Sequence, residues 1–521
     1  YHITKKMSTH KSLAKSAGII GLGILASRIL GFIRDIVVAA VFGTSMPFQA
    51  FVVAFRIPNL LRDMVGEGAA NAAFVPVLSE YAIKKTKAEF WELAQVLLNT
   101  MMIVLAVISA LGVLFAPFIV TLIAPGFVKD AEKFKLTVDL TRAMFPYIFL
   151  VGLTAYTTGV LNSLKLFGAS SFSQPLWNLL FIASAVFLCP IMKIPVMGLA
   201  IGVLVGGLLQ LIAQLPQLMK RGLAMPRFNK FKHPASSEIG RLLLPRVVGS
   251  SIYQLNVFVN TIFASLAVIV GEGAIAAIYY SNRLWQFPLA IFGTAFSQAM
   301  LPTLSEHAVK EDIEKFKETF SFSLRSVFFI TVPASVGLIV LATPIVRALF
   351  ERGSFDSYST EITSAALFYY SIGLCAYAGV KVVVSAFYSL KDTVTPVKAA
   401  FIALILNVIL SAILMFPMKV GGLALATTIS SAANFAVLFY LLRKKIGPFG
   451  GFAILKSFGR VLIAGVVMGI VLIWLNSTLA FTPVIQIIVI IAAGIVSFFA
   501  ACMILDVDEF KGFLRWILRK K

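Results

Sequence analysis

Nine basic residues sit inside stretches that are otherwise apolar: Arg28, Arg34, Arg56, Arg62, Arg142, Arg246, Arg283, Arg325 and Lys381. A guanidinium presents paired donors in one plane, keeps its charge at any accessible pH and is less strongly hydrated than an ammonium, which suits it to phosphate or pyrophosphate oxygens. At about 2.5 to 3.5 kcal/mol for each mid-membrane Arg, setting Arg28, Arg34, Arg56 and Arg283 against lipid would cost about 10 to 14 kcal/mol, so these four are expected to face a water-filled interior. Arg142, Arg246, Arg325 and Lys381 have an alternative, since a long side chain near a helix end can snorkel to the interface.

Carboxylates are scarce beside them. Few carboxylates, among them Asp35, Asp63 and Glu67, accompany five arginines in the first two spans and the eighth, so internal ion pairs cannot neutralise them all and an anionic ligand is expected. Arg28 and Asp35, seven apart, share a helix face and are candidates for an internal pair, whereas Arg28 and Arg34, six apart, point about 120° away from each other. Other chemistry is missing. No GxxxxGK[ST] phosphate loop occurs, and the four His (His2, His10, His233, His307) form no HExxH or comparable ligand set. Cys189, Cys375 and Cys502 are far apart in apolar segments and read as packing residues. Neither a metal nor a cofactor is expected, and an enzyme is not expected either, because the outside loops are only about three to eleven residues long.

The elements that must hold these arginines are membrane-spanning helices. Of 521 residues, 59% are hydrophobic and 13% charged, about half the charged fraction of an average soluble chain. Fourteen apolar runs are expected as spans, at 16–42, 48–82, 92–124, 136–163, 172–190, 195–219, 241–270, 274–305, 320–349, 361–389, 396–416, 420–442, 453–476 and 483–505. The first is longer than a signal-peptide core and reads as a retained span. Residues 1–6 precede the first Met and read as an expression remnant. With both termini in the cytoplasm, 29 Lys and Arg fall in inside segments and 7 outside, which selects that orientation. The net charge of +22 thus marks cytoplasmic loops rather than a nucleic-acid partner.

An internal repeat organises the spans. AAFVPVLSEYA at 72–82 matches QAMLPTLSEHA at 298–308 with an offset of 226, the same offset puts Ile119-Val120 on Ile345-Val346, and Arg56 falls within one residue of Arg283. Six spans per repeat give both copies the same orientation, with an axis along the membrane normal. The expected fold is all-α and polytopic: an N-lobe (7–220, spans 1–6), a basic cytoplasmic linker (221–240), a C-lobe (241–445, spans 7–12), then two added helices and a basic tail (446–521). In two-lobed transporters the substrate site lies between the lobes near mid-membrane, so Arg28, Arg34, Arg56, Arg62 and Arg283 are the expected substrate-binding residues.

A set of ordered motifs carries a resemblance. SRILGFIRD at 27–35, AFRIPNLLR at 54–62, EGA at 67–69, AFVPVLSEY at 73–81, APGF at 124–127, QLPQL at 214–218, NTIFASL at 260–266, YYSNRLWQFP at 279–288 and DTVTPVK at 392–398 together resemble the MurJ (MviN) family of lipid II flippases, from about Met7 to Lys445. The resemblance implies the fold of the multidrug/oligosaccharidyl-lipid/polysaccharide exporter superfamily, with a cationic cavity and two C-terminal helices bordering a groove for the lipid tail. It implies movement of an undecaprenyl-pyrophosphate-linked precursor from the cytoplasmic to the periplasmic leaflet, with Arg28, Arg34, Arg62 and Arg283 at family-important positions. Many proteobacterial members carry acids where this chain has Gln49, Asn282 and Gln286, so coupling through those positions is in doubt, and Asp35, Glu67 or Lys381 remain as ion-pair or coupling candidates. Lipid II is the expected partner, with membrane lipids and a cavity anion such as chloride; the expected state is a monomer in the bacterial inner membrane. Two other readings stay open: export of another polyprenyl-linked glycan, and an anion channel.

Overall fold

A computed structural model describes residues 2–62, 70–223, 231, 233–479 and 481–518. The chain divides into two compact units, Tyr1–Gln254 and Leu255–Lys521. The first contains α1 (His2–Phe42), α2 (Met46–Arg62), α3 (Ala70–Lys84), α4 (Lys87–Leu114), α5 (Ala116–Ile123), α6 (Ala131–Met144), α7 (Tyr147–Ser163), α8 (Phe167–Ala183), α9 (Pro195–Ile212) and α10 (Leu215–Arg221). The unit boundary falls within α11 (Pro234–Ala264). Unit 2 continues with α12 (Ala267–Val270), α13 (Ala274–Pro288), α14 (Ala295–Val309), α15 (Ile313–Val340), α16 (Ala342–Phe350), α17 (Ser357–Ile372), α18 (Leu374–Ser389), α19 (Val394–Ile446), α20 (Gly451–Thr478), α21 (Pro483–Ile504) and α22 (Asp508–Leu518).

The protein is an all-α polytopic membrane protein. Among the described residues nine helices are long and apolar enough to cross a membrane, and ten if the bent pair α17 and α18 counts as one span. α19 contains two of the expected spans, separated by Lys419, whose backbone (φ 50°, ψ −131°) breaks the helix two residues after Pro417. Pro417 cannot donate to the preceding turn, and the chain doubles back so closely that a Cβ on Gly422 would fall on the Leu414 carbonyl oxygen.

Local chemistry repeats at the offset of 226. α4 and α15 are both 28 residues long, each preceded by a capping side chain: Thr86 accepts from the Glu89 amide and Asp312 from the Lys315 amide. Asp130 caps α6 and Asp356 caps α17 in the same way. Lys165 and Lys391 both take the left-handed conformation at φ 60°. Each ends its helix with a matching reverse bond, Leu166 N–H to the Leu161 carbonyl (2.8 Å) and Asp392 N–H to the Phe387 carbonyl (2.9 Å).

Packing then differs between the units. In unit 1, Phe74, Leu78, Phe90, Leu97 and Tyr156 form the centre of a buried cluster, and the Tyr156 hydroxyl donates to the Ala94 carbonyl at 2.7 Å. In unit 2 the added helix α20 lies against α15 through small residues, since a Cβ on Gly465 would meet Val332 at 3.2 Å. Phe329 and Phe498 join α15 to α21 with ring centroids 5.6 Å apart.

Candidate functional site

α1 places two of the expected arginines in different surroundings. Gly23 lets it approach α8 so closely that a Cβ there would lie 2.5 Å from the Ser171 carbonyl oxygen. From that contact onward the two helices exchange polar groups: Asn178 donates to the Ser27 carbonyl at 3.1 Å and accepts from Arg34 Nη1 at 3.0 Å. Arg34 also donates Nε and Nη2 to Asp35 Oδ1, at 3.1 and 2.7 Å, and its guanidinium carbon stands 5.4 Å from the Trp177 ring and 5.6 Å from Phe181. Both members of the ion pair are buried. The expected internal pair between Arg28 and Asp35 is replaced, because the carboxylate is held by its neighbour Arg34. Arg28 is exposed and forms no ion pair among the described residues.

An aromatic wall connects this pair to α2. Phe51, Phe55, Trp177 and Phe181 stack or tilt against one another at 5.3 to 6.3 Å, and Arg56 follows Phe55 on the same helix. Arg56 and Arg62 are half-buried. Gln49, at the other end of α2, is buried: its Nε2 donates to the Thr44 carbonyl at 3.2 Å, and its Oε1 accepts from Lys133 Nζ at 3.4 Å. The Lys133 ammonium also stands 4.4 Å from the Phe127 ring centre. Glu67 lies outside the described residues.

In unit 2, Arg283 is exposed on α13, its guanidinium 4.9 Å from the Tyr279 ring and within 3.4 Å of the Tyr279 hydroxyl. Asn282 accepts from Trp285 Nε1 at 2.8 Å, and Trp285 stacks on Tyr377 at 4.5 Å, which fixes the turn bearing Arg283 to α18. Gln286 is half-buried one turn on. Lys381 is half-buried on α18, and its carbonyl accepts from Ser297 on α14 at 2.9 Å. Among the described residues no carboxylate lies within ion-pair distance of Lys381.

Sequence reasoning missed three groups. Asn178 and its partner Trp177 hold Arg34, Lys133 sits on Gln49, and Asn256, Asn260 and Asn407 join α11 to α19 at 3.1 to 3.4 Å with Thr427 3.2 Å from Asn260. The signal was present for the amides, because an Asn inside an apolar span is costly unless it faces a partner. No group of three or more metal-ligating side chains exists among the described residues. Chemically, the arrangement can bind and neutralise an anion: one guanidinium is sequestered by a carboxylate and at least one other, Arg28, has none.

Comparison with known proteins gives a consistent result. A family model described as lipid II flippase MurJ matches residues 38–493. The probable lipid II flippase MurJ of Vibrio cholerae is 35% identical over 491 residues, covering 91% of each chain. The lipid II flippase MurJ of Burkholderia cenocepacia is 36% identical over 425 residues, covering 81% of this chain and 82% of that one. A solved structure of lipid II flippase MurJ in an inward closed conformation superposes with a TM-score of 0.79 at 26% identity, covering 93% of this chain and 98% of the other. An inward-facing multidrug resistance MATE family transporter of the MOP superfamily superposes with a TM-score of 0.67 at 16% identity, over 81% and 94%, which is a likeness of fold alone.

Proposed function

The chain belongs to the lipid II flippase MurJ family, and from that premise we propose how its own residues serve the activity. It is a multi-pass membrane flippase for lipid II, the lipid-linked peptidoglycan precursor. The pyrophosphate of the head group is bound by Arg28, Arg56, Arg62 and Arg283, while Arg34 stays paired with Asp35, and the polyprenyl tail stays in lipid beside α20 and α21. Moving that tail into a charged space would sacrifice about 0.8 kcal/mol for each CH₂. The termini are cytoplasmic, the chain acts as a monomer, and a small anion such as chloride occupies the cationic site between cycles.

One observation carries the reading. On α1 Arg34 is buried and neutralised by Asp35, while Arg28 is exposed and without an ion pair among the described residues. An unneutralised guanidinium on a spanning helix is sustained by water and by an anion. Like charges repel more strongly as water leaves, so a bound pyrophosphate lowers the energy of a closed, dehydrated state, and alternating access follows from its differential affinity for that state. The residues that carry substrate are distinct from any energy source; membrane potential or another ion gradient resets the empty carrier.

The test is depletion of the native flippase in cells carrying this chain, with measurement of lipid II in each leaflet. The unaltered chain restores outward movement; Arg28→Ala and Arg283→Ala, folded and present in the membrane at normal amounts, do not. Normal transport by Arg28→Ala would overturn the site.

A further inference from the structure

Two glutamines near the end of α9 tie it to the helices on either side. Gln210 donates Nε2 to Gln174 Oε1 of α8 at 2.9 Å. Gln214, one turn on and at the step into α10, accepts at Oε1 from the Thr157 and Thr158 hydroxyls of α7, at 2.7 and 3.2 Å. Gln214 also opens the QLPQL motif, which the binding of an anion leaves unused. Each amide has a second polar atom. Gln210 Oε1 and Gln214 Nε2 are buried, in residues 4% and 0% exposed, and neither has a hydrogen-bond partner among the described residues. Exchanging oxygen and nitrogen in either amide does not help, because it only changes which atom is left over.

A third group joins them. Trp177 Nε1 on α8 is buried and likewise has no partner among the described residues. It lies against α9, where a Cβ on Gly206 would stand 3.2 Å from it. Gly206, Gln210 and Gln214 follow one another at single helical turns of about 6 Å each, and Ala213 and Gln214 keep right-handed helical backbone angles through the step. Along this side of α9 the order is therefore donor, acceptor, donor: an indole N–H, a carbonyl and an amide N–H. Buried polar groups are costly to leave unmet, so this set calls for a ligand.

We propose that water is bound inside unit 1, in the seam between α7, α8 and α9, accepting from Trp177 Nε1 and Gln214 Nε2 and donating to Gln210 Oε1. Three partners are what a buried water typically has. The three groups are uncharged and supply a single oxygen, so they select a small neutral molecule that both donates and accepts, and not an ion. The consequence reaches the Arg34–Asp35 pair, because the water fixes the indole whose ring stands 5.4 Å from the Arg34 guanidinium.

The test uses the full chain carrying isotope-labelled tryptophan in lipid nanodiscs, with the Trp177 indole signal identified by its loss in Trp177→Phe. Direct magnetisation transfer from water to the Trp177 Nε1 proton is expected. None is expected at the Trp285 indole, which is also buried but already donates to Asn282 at 2.8 Å. Gln210→Met, which removes the acceptor, should abolish the transfer at Trp177, and Gln214→Met should weaken it, with Trp285 unchanged in both. An exchange-protected Trp177 indole that receives nothing from water in the unaltered chain would overturn the proposal, whether or not the variants fold. Transfer that survives Gln210→Met and Gln214→Met together would overturn it as well, because the water would then be held elsewhere.

Discussion

Where α1 meets α8, the protein buries an arginine, an aspartate and an asparagine; where α11 meets α19, it buries Asn260 and Asn407 beside the half-buried Asn256 and Thr427. The offset of 226 sets Arg34 on Asn260 and Asp35 on Thr261, so these are duplicates of one place. Around them the copies have kept capping side chains, a left-handed lysine and the 28-residue length of α4 and α15. The difference shows which features a duplicated membrane helix bundle retains. Helix ends are satisfied by chemistry within three or four residues, so each copy carries its own solution unchanged. An interior polar group needs only a partner on the facing helix, and a charge pair or an amide cluster meets that need equally well.

The largest consequence should come from breaking the charged copy. Asp35→Asn leaves the buried Arg34 guanidinium without its carboxylate, and we expect a loss of about 3 to 5 kcal/mol, seen as a lower melting temperature in detergent. Replacing both partners with apolar residues should recover most of it. An Asp35→Asn protein as stable as the parent would end the comparison, because it would mean the pair is not energetically distinct from its uncharged counterpart.

Asn407→Ala attacks the second copy and should cost less, about 0.6 to 2 kcal/mol, since amide bonds in a membrane are individually weak. The retained caps sharpen the contrast further. Thr86→Ala and Asp312→Ala should each cost about 1 kcal/mol and should do so equally, as measured by exchange at the first turns of α4 and α15. Unequal losses there would show that local chemistry has diverged along with the interior.

The smallest expected effect is acid sensitivity confined to one copy. The offset puts Leu166 on Asp392, which accepts from Lys445 at 2.6 Å and from the Thr395 amide and hydroxyl at 3.0 and 2.9 Å. Burial would raise this carboxyl, but the bonds from Lys445 and Thr395 outweigh it and bring its pKa from 3.8 down to about 2. A depressed folded value adds stability above pH 4 that is lost as pH falls toward 2. Exchange at 389–395 should therefore quicken on acidification while 163–169 stays unchanged, and Asp392→Asn should remove the dependence.

By itself the sequence determined the class of the molecule. Its apolar runs, the asymmetry of Lys and Arg between loops and the repeated LSE motif pointed to a polytopic helical protein built twice, because spanning helices must be about 20 residues long and a shared offset marks a repeat. It also identified the arginines worth watching, since charge in an apolar run is conspicuous. What it did not contain was the pairing. Arg28 and Arg34 look alike in the sequence, and helical spacing favoured Asp35 for Arg28. Only tertiary packing brought Asn178, Trp177 and Phe181 around Arg34, turned that guanidinium onto the adjacent carboxylate and left Arg28 exposed. Spacing along one helix fixes which side chains share a face, but the neighbours on that face come from α8, some 150 residues away, and no local pattern encodes them.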